Sequence, residues 1–253
     1  MMPVLQGETA EQAANVLGGE ACMWTEFISP ETIDSRMWPK TAAIAERLWS
    51  PAARIANTAD MYERLDAITH RLDFRGALHN RNYESMLRRL SPDAPIDVLK
   101  TLADTLDPQG IEVRELALTY SQQTPLNRMV DAARGDSAVV RSLERAIRNY
   151  LQSRTPDASA KVRSLLAKWR DNHARFQPYA NSSDLLTGAS ELSADLARIS
   201  TLGLEALERL EKRTSSAAWA KEQLSTLDVL AKPKLELVHG SIRPVRLLVE
   251  ALR

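Results

Sequence analysis

The chain has 253 residues, of which 44% are hydrophobic and 26% are charged, so it can bury one or two cores and is neither disordered nor fibrous. Its 33 basic and 33 acidic residues balance, which gives no electrostatic reason to expect a nucleic acid or an anionic membrane as a partner. Cys22 is the single cysteine, which excludes an intrachain disulfide and a cysteine metal cluster.

The first predicted elements are one strand and two helices. Asn15 to Trp24 is short, apolar and contains two glycines, which is typical of a strand with a bend or a close backbone approach. A loop leads to a helix from Pro39 to Trp49, which has proline in its first turn. A second helix covers Ala59 to Leu72, and its apolar residues fall on one face. Strand, loop and helix make one βα unit.

After about Ser91 the chain becomes a succession of helical patterns separated by proline, glycine and serine. Apolar residues recur at helical spacing on single faces. The stripes are Val140, Leu143, Ile147 and Tyr150; Val162, Leu165, Leu166, Trp169, His173 and Phe176; Leu192, Leu196, Ile199, Leu202, Ala206 and Leu210; Ala217, Ala220, Leu224 and Leu227; and Val245, Leu248, Val249 and Leu252. We therefore expect an antiparallel bundle of four or five helices over 136–253, after connecting helices and loops over 76–135.

Capping residues predict where two of these helices begin. Thr155 precedes Pro156, the combination favoured at a helix N-terminus, and Asp136 or Ser137 starts the helix before it.

Three short blocks in the first fifth of the chain carry the candidate ligand-binding residues. Trp24 ends the predicted strand and lies two residues before Glu26. An indole face can cover the apolar C–H face of a sugar ring, and a carboxylate can accept hydrogen bonds from neighbouring hydroxyls. The alternative is that Trp24, Trp38 and Trp49 are packing anchors and that Glu26 is a solvated loop residue.

The three blocks resemble the last βα unit of the family 20 glycoside hydrolases, the β-N-acetylhexosaminidases. Members are similar to this chain in a Gly-Gly-Glu-Ala-x-x-Trp-x-Glu run, then Asp-Ser-Arg-x-Trp-Pro, then Ala-x-x-Glu-Arg-Leu-Trp-Ser. The match extends from Leu17 to Ser50, with Lys40 where arginine commonly follows the proline. A second segment, from Gln123 to Ala133, resembles part of the C-terminal extension of some bacterial members.

The resemblance implies a fold that is mainly α, with the last βα unit of a (β/α)8 TIM barrel followed by the helical bundle. Residues 1–75 would be the remnant of the barrel, comprising strand 8, a loop and helix 8. Trp24 would form one wall of the pocket for a terminal N-acetyl sugar, and Glu26 would hydrogen-bond the ring hydroxyls.

The family hydrolyses terminal non-reducing N-acetyl-β-D-hexosamine residues by a substrate-assisted retaining mechanism. The acetamido oxygen of the sugar attacks the anomeric carbon, and an adjacent Asp-Glu pair supplies the orienting carboxylate and the general acid. Here the sequence departs from the family, because none of its aspartates is followed by glutamate. General acid catalysis requires a positioned proton donor. We therefore expect no catalytic residue in this chain, which would be an inactive fragment of the barrel.

The alternative is a stand-alone helical interaction module that keeps a non-catalytic hydrolase remnant. We expect Glu20 to face the sheet interior or the neighbouring loop and to pair with Arg36 or Arg47. With Trp38 and Trp49, these residues would support the site.

No metal site is expected, because the four histidines lack ligand spacing, and no cofactor is expected either. The expected partners are N-acetylhexosamine glycans, bound weakly, and neither nucleic acid nor membrane. A protein partner would be the missing part of the barrel, or a second copy that pairs through the exposed face of helix 39–49. The segment from Met1 to Ala10 does not have the pattern of a signal peptide, so the sequence does not indicate a compartment. The enzyme of which this chain would be a fragment is compatible with a periplasmic or secreted location.

Overall fold

The computed structural model describes residues 9–214 and 216–253, without the side chains of residues 10, 13 and 52. The fold is mainly α, as predicted from the sequence. None of the helices in the described ranges combines the length and the apolar character that crossing a membrane requires.

The chain divides into two compact units, the first ending at Tyr83 and the second beginning at Glu84. The helices of the first unit are α1 (Ala10–Ala14), α2 (Ile33–Met37), α3 (Lys40–Trp49) and α4 (Thr58–Phe74), with a 3-10 turn at Ala52–Arg54, and helix α5 (Arg81–Leu90) contains the boundary. Helices α3 and α4 pack against each other. The two helices predicted in this region are therefore confirmed to within two residues at each end.

The beginning of α4 shows how a single side chain sets a helix boundary. The Asn57 side chain accepts a hydrogen bond of 2.9 Å from the backbone N–H of Ala59 and thereby satisfies a donor that the first helical turn leaves free. The apolar spacing alone had placed the start of this helix one residue later.

The strand predicted from Asn15 to Trp24 is wrong for this structure. Residues 16–25 have no regular secondary structure, and residues 16–24 are exposed. The strands of the described residues are β1 (Leu106–Pro108) and β2 (Leu237–His239), which pair with each other in the second unit. A β-strand gains its stability from hydrogen bonds with a neighbouring strand, so an apolar segment without such a neighbour stays irregular.

The second unit contains long amphipathic helices at the positions predicted from the sequence. Its long helices are α9 (Ala138–Ser153), α10 (Pro156–Phe176), α11 (Ala189–Glu211), α12 (Ala217–Leu230) and α13 (Ile242–Glu250). Helix α10 packs along α11 and α9, and α13 packs against α9, α11 and α12. The inner members of each predicted stripe are buried, among them Leu143, Leu166 and Leu196. The apolar spacing therefore predicted the core of this unit correctly.

The ends of these helices follow the predicted capping signals. The Thr155 hydroxyl accepts a hydrogen bond from the N–H of Ala158, and Pro156 is the first residue of α10. The cap of α9 is Ser137, whose hydroxyl accepts from the N–H of Val139, while Asp136 lies before it with a positive φ of 61°. Of the two starting residues considered for α9, the structure selects Ser137.

Several shorter elements of the second unit were not assigned from the sequence. They are α6 (Ile96–Ala103), α7 (Ile111–Ala117), α8 (Met129–Ala132), 3-10 turns at Gln177–Tyr179 and Asp184–Leu186, and the β1–β2 ribbon. The ribbon is antiparallel and pairs Leu106 with His239. A strand of three residues is too short to display an alternating pattern, so its pairing has no signature in the local sequence.

Candidate functional site

The first block of candidate residues lies in the irregular segment that leads to α2. Trp24 is 76% exposed, and Glu26 is exposed at the turn that follows. Among the described residues, no hydrogen bond or ion pair engages the Glu26 carboxylate. Both groups are therefore free to contact a ligand, and the structure places them two residues apart on one loop.

The second block is anchored by hydrogen bonds within the first unit. The Asp34 carboxylate accepts a bond of 2.7 Å from the backbone N–H of Leu78, and the Asn82 amide donates to the carbonyl of Glu31 at 2.9 Å. A turn between Ser29 and Thr32 precedes α2, with a backbone bond of 3.0 Å. These contacts join residues 29–38 to the segment around residue 80, although the two are about fifty positions apart in the chain.

The third block contributes an ion pair between α3 and α4 that the sequence did not reveal. The Arg64 guanidinium donates two hydrogen bonds to the Glu46 carboxylate, at 2.5 and 3.0 Å. This fork-to-fork geometry fixes the orientation of both side chains. The hydrogen bond from Arg64 holds the pKa of Glu46 below its ordinary value. Glu46 belongs to the Ala-x-x-Glu-Arg-Leu-Trp-Ser block. Its position in that motif was the feature of the sequence that could have drawn attention to it.

The residues expected to support the site differ in their surroundings. Glu20 is exposed and accepts a long hydrogen bond of 3.8 Å from the Cys22 thiol, so of the two positions expected for it the structure shows a loop and not a sheet interior. The physical reason is that no sheet forms around residues 16–25. Arg36 and Trp38 are half-buried, and the Trp38–Pro39 peptide bond is cis.

An apolar surface is exposed on the first unit. Arg47 is exposed on α3, and Trp49 at the end of the same helix is 91% exposed. Ile44 and Leu48 are also exposed on α3, and Phe74, the last residue of α4, is 90% exposed. Ile44 and Leu48 lie one helical turn apart on α3, and apolar side chains exposed side by side are typical of a surface that another protein segment covers.

The described residues form no cluster of three or more histidine, cysteine, aspartate or glutamate side chains that could hold a metal ion. What the candidate site offers is therefore one aromatic face and one free carboxylate, the two groups that the sequence singled out for sugar binding.

Comparisons with known proteins show what the first part of the chain is similar to. The family model described as "Glycosyl hydrolase family 20, catalytic domain" matches residues 2–52. Residues 2–52 are therefore similar to part of the catalytic domain of that family. The beta-hexosaminidase subunit beta of Felis catus is 42% identical over 66 residues, which are 26% of this chain and 12% of that protein. The probable beta-hexosaminidase fdl of Drosophila melanogaster is 63% identical over 35 residues, which are 14% of this chain and 5% of that protein.

A solved structure extends the likeness beyond the family 20 segment. The chitobiase of Flavobacterium johnsoniae matches 98% of this chain with a TM-score of 0.84 and 28% sequence identity. The match uses 37% of the chitobiase chain. The chain thus spans about an eighth of the first curated relatives and little more than a third of the chitobiase. Because the match covers 98% of this chain, the helical unit also has its counterpart in that enzyme.

A buried polar cluster in the second unit was also missed by sequence reasoning. Arg114 forms ion pairs with Asp131 at 2.8 Å and with Glu236 at 2.9 Å, and all three side chains are at most 4% exposed. Arg128 pairs with Glu236 at 2.9 Å, and the Tyr120 hydroxyl donates to the same carboxylate. Burial, followed by the hydrogen bond with Glu236, raises the pKa of Tyr120 above its ordinary value. Only the family-like segment from Gln123 to Ala133 had drawn attention to this region.

Proposed function

We propose that this chain contributes to an enzyme that hydrolyses terminal non-reducing N-acetyl-β-D-hexosamine residues by the substrate-assisted retaining mechanism. The observation that carries the proposal is the family 20 segment at residues 2–52, together with a chitobiase likeness over 98% of the chain. The relatives that match the first part of the chain are beta-hexosaminidases, which is consistent with this reaction.

In this proposal Trp24 and Glu26 bind the sugar and do not transfer a proton. The exposed indole of Trp24 would lie against the C–H face of the terminal N-acetyl sugar, and the free Glu26 carboxylate would accept hydrogen bonds from its hydroxyls. The orienting carboxylate and the general acid would come from a part of the catalytic domain outside these 253 residues, which contain no Asp-Glu pair. Residues 16–49 would then be the last βα unit of the barrel.

The exposed apolar face of α3 supports the same proposal. Ile44, Leu48 and Trp49 are the groups that a barrel helix turns toward its strands, and here they are exposed. We propose that the remainder of the catalytic domain covers this face and supplies neighbours with which residues 16–24 pair as a strand. A second copy of the chain bound to the same face is the competing occupant.

The test is to replace the matched third of the Flavobacterium johnsoniae chitobiase with this chain and to assay a chromogenic N-acetylglucosaminide. We expect the chimera to turn the substrate over and the isolated chain to show none. In the chimera, Glu26→Gln and Trp24→Ala should each reduce kcat/KM by roughly ten- to a thousandfold, since each removes a contact to the sugar in the transition state.

The matched control is Glu63→Gln, which removes a carboxylate from the exposed side of α4 and should change kcat/KM less than twofold. Turnover by the isolated chain that Glu26→Gln reduces would show that the proton donor has been assigned to the wrong place. If the chimera is folded and active and Glu26→Gln changes kcat/KM no more than Glu63→Gln does, Glu26 does not contact the sugar.

A further inference from the structure

A cavity of about 610 Å³ opens in the second unit where four helices of the bundle end or begin. Its wall is formed by residues at the ends of α9, α11 and α13 and at the start of α10. The volume lies within the range of about 300–1,000 Å³ that is usual for pockets binding small molecules. Three arginines and three apolar residues contribute to the wall: Arg154, Arg209, Arg213, Pro156, Leu210 and Leu252.

Two of the arginines in this wall are positioned by aromatic rings. The guanidinium of Arg154 lies over the Tyr150 ring at 5.4 Å from its centroid, and that of Arg209 lies over the Trp219 ring at 4.6 Å. A ring that covers the face of a guanidinium leaves the N–H groups at its edge free to donate. The aromatic contacts therefore orient two cations without consuming their hydrogen-bonding capacity.

The cavity carries an excess of positive charge. Among the described residues, Arg154, Arg209 and Arg213 form no ion pair with a carboxylate. The acidic residue of the wall, Glu211, is engaged by Arg163 at 2.5 Å. The exposed arginines Arg148 and Arg163 of the same bundle pair with carboxylates. Arg209 feels the charge of Glu208 but forms no ion pair with it, so three guanidiniums outside such pairs at one cavity constitute a candidate anion site.

The rest of the cavity wall suits a ligand that has an apolar part beside its charged group. Pro156 and Ser159 bring the first turn of the 21-residue helix α10, with its positive dipole end, to the cavity. The ends of α9, α11 and α13 bring negative dipole ends, so the positive field comes from the arginines. Leu210 and Leu252 provide an apolar surface beside these charges. An anionic group joined to a small apolar or ring-shaped body fits both kinds of surface.

We propose that this cavity binds a small phosphate monoester whose phosphate is held by Arg154, Arg209 and Arg213. A phosphate monoester carries nearly two negative charges at neutral pH, and planar guanidinium groups donate paired hydrogen bonds to its oxygens. The proposal is independent of the sugar chemistry assigned to the first unit, because all the residues of the cavity lie in the second unit.

The competing explanation is that these arginines only stabilise helix ends. Arg154 is the C-cap of α9 and Arg213 follows the end of α11, and a cation near a helix C-terminus is favourable without any ligand. If this is their role, replacing the arginines should lower the melting temperature and leave the affinity for an anion unchanged. The two explanations therefore predict different results.

The test is a calorimetric titration of the full chain with phenyl phosphate, accompanied by phenyl sulfate and benzyl alcohol. We expect saturable binding of phenyl phosphate, weaker binding of the singly charged sulfate and no binding of the neutral alcohol. Arg154→Gln, Arg209→Gln and Arg213→Gln should each weaken phenyl phosphate binding by about tenfold, as expected for the loss of one charge-assisted contact.

The matched control is Arg198→Gln. Arg198 is an exposed arginine of α11, three turns before Arg209, and forms no ion pair among the described residues. This substitution removes the same charge and should change the affinity less than twofold. The proposal is overturned if binding does not saturate, if Arg198→Gln weakens it as much as the cavity variants do, or if those variants lower the melting temperature while the affinity stays unchanged.

Discussion

Charged side chains that lie far apart in the sequence meet inside the second unit. Glu236 receives hydrogen bonds from Arg114, Arg128 and Tyr120, which precede it by more than one hundred positions. Leu235 and Glu236 both have positive φ angles, a conformation that non-glycine residues keep only when their surroundings enforce it. The cluster thus joins α7 and the segment between α7 and α8 to the loop before β2. Removing one partner would leave a buried charge uncompensated.

His239 is a residue whose burial makes stability depend on pH. It lies in β2, both of its ring nitrogens lack hydrogen-bond partners among the described atoms, and burial, followed by the charge of Lys234, lowers its pKa to about 4. The unfolded chain therefore binds the extra proton first, from about pH 6.5 downward. The stabilisation is complete above that pH and is lost as the pH falls toward 4. Between pH 7 and 4.5 we expect this group to reduce the free energy of unfolding by about 2 kcal/mol.

The measurement is urea unfolding at both pH values for the natural chain and for His239→Leu. The variant should lose less stability on acidification, by about 2 kcal/mol, because the carboxylates titrate equally in both proteins and cancel in the difference. The same measurement on His70→Gln, which removes an exposed imidazole, is the matched control. Parallel pH profiles for the natural chain and His239→Leu would show that His239 is not the titrating group.

At the scale of secondary structure, the apolar spacing predicted the five long helices of the second unit because each buries one continuous stripe. It could not predict the β1–β2 ribbon or the Glu236 cluster, since both depend on residues that the fold brings together from distant positions. The segment from Asn15 to Trp24 has the composition of a strand, but composition does not provide a neighbouring strand. For the candidate site, the motif singled out Trp24 and Glu26, whose role stays a prediction, whereas the Glu46–Arg64 pair required the packing of α3 on α4.

Gly203 sets how closely the neighbouring helices approach α11. A Cβ atom at this position would lie 2.9 Å from Cδ1 of Leu166 on α10 and 3.2 Å from Cγ2 of Val245 on α13. Both neighbours are fully buried, so neither can move aside without disturbing the core. We expect Gly203→Val to destabilise the protein by about 1–3 kcal/mol through overpacking, although valine favours a helix slightly more than glycine does.

The comparison variant is Ala194→Val, which adds the branched side chain on the exposed side of the same helix. Its cost should be about 0.5 kcal/mol, since only the helix propensity changes. Thermal unfolding followed by circular dichroism measures both. Equal melting temperatures for the two variants would mean that the α10–α11–α13 contact accommodates the added methyl groups.

For the molecule as a whole, the two units differ in how much apolar surface they leave exposed. Fully buried leucines and isoleucines from α6, α9, α10, α11 and α13 form the core of the second unit. In the first unit Leu65 is the large aliphatic side chain of α4 that is buried, whereas Trp24, Trp49 and Phe74 are mostly exposed. A unit with its own core has the means to fold alone, and a unit with an uncovered apolar face is prone to associate.

We therefore expect residues 84–253, expressed alone, to be monomeric and to unfold in one cooperative transition, and residues 1–83 alone to aggregate. Size-exclusion chromatography and urea unfolding test both pieces.

Within the first unit, replacing Leu48 and Trp49 together by lysine should raise the soluble fraction, because the charges replace apolar surface on α3. The same double change at the exposed polar positions Glu63 and Asp66 of α4 should not. If residues 1–83 are monomeric without any substitution, the apolar face of α3 needs no covering partner, and the proposed docking of the remaining catalytic domain loses its physical basis.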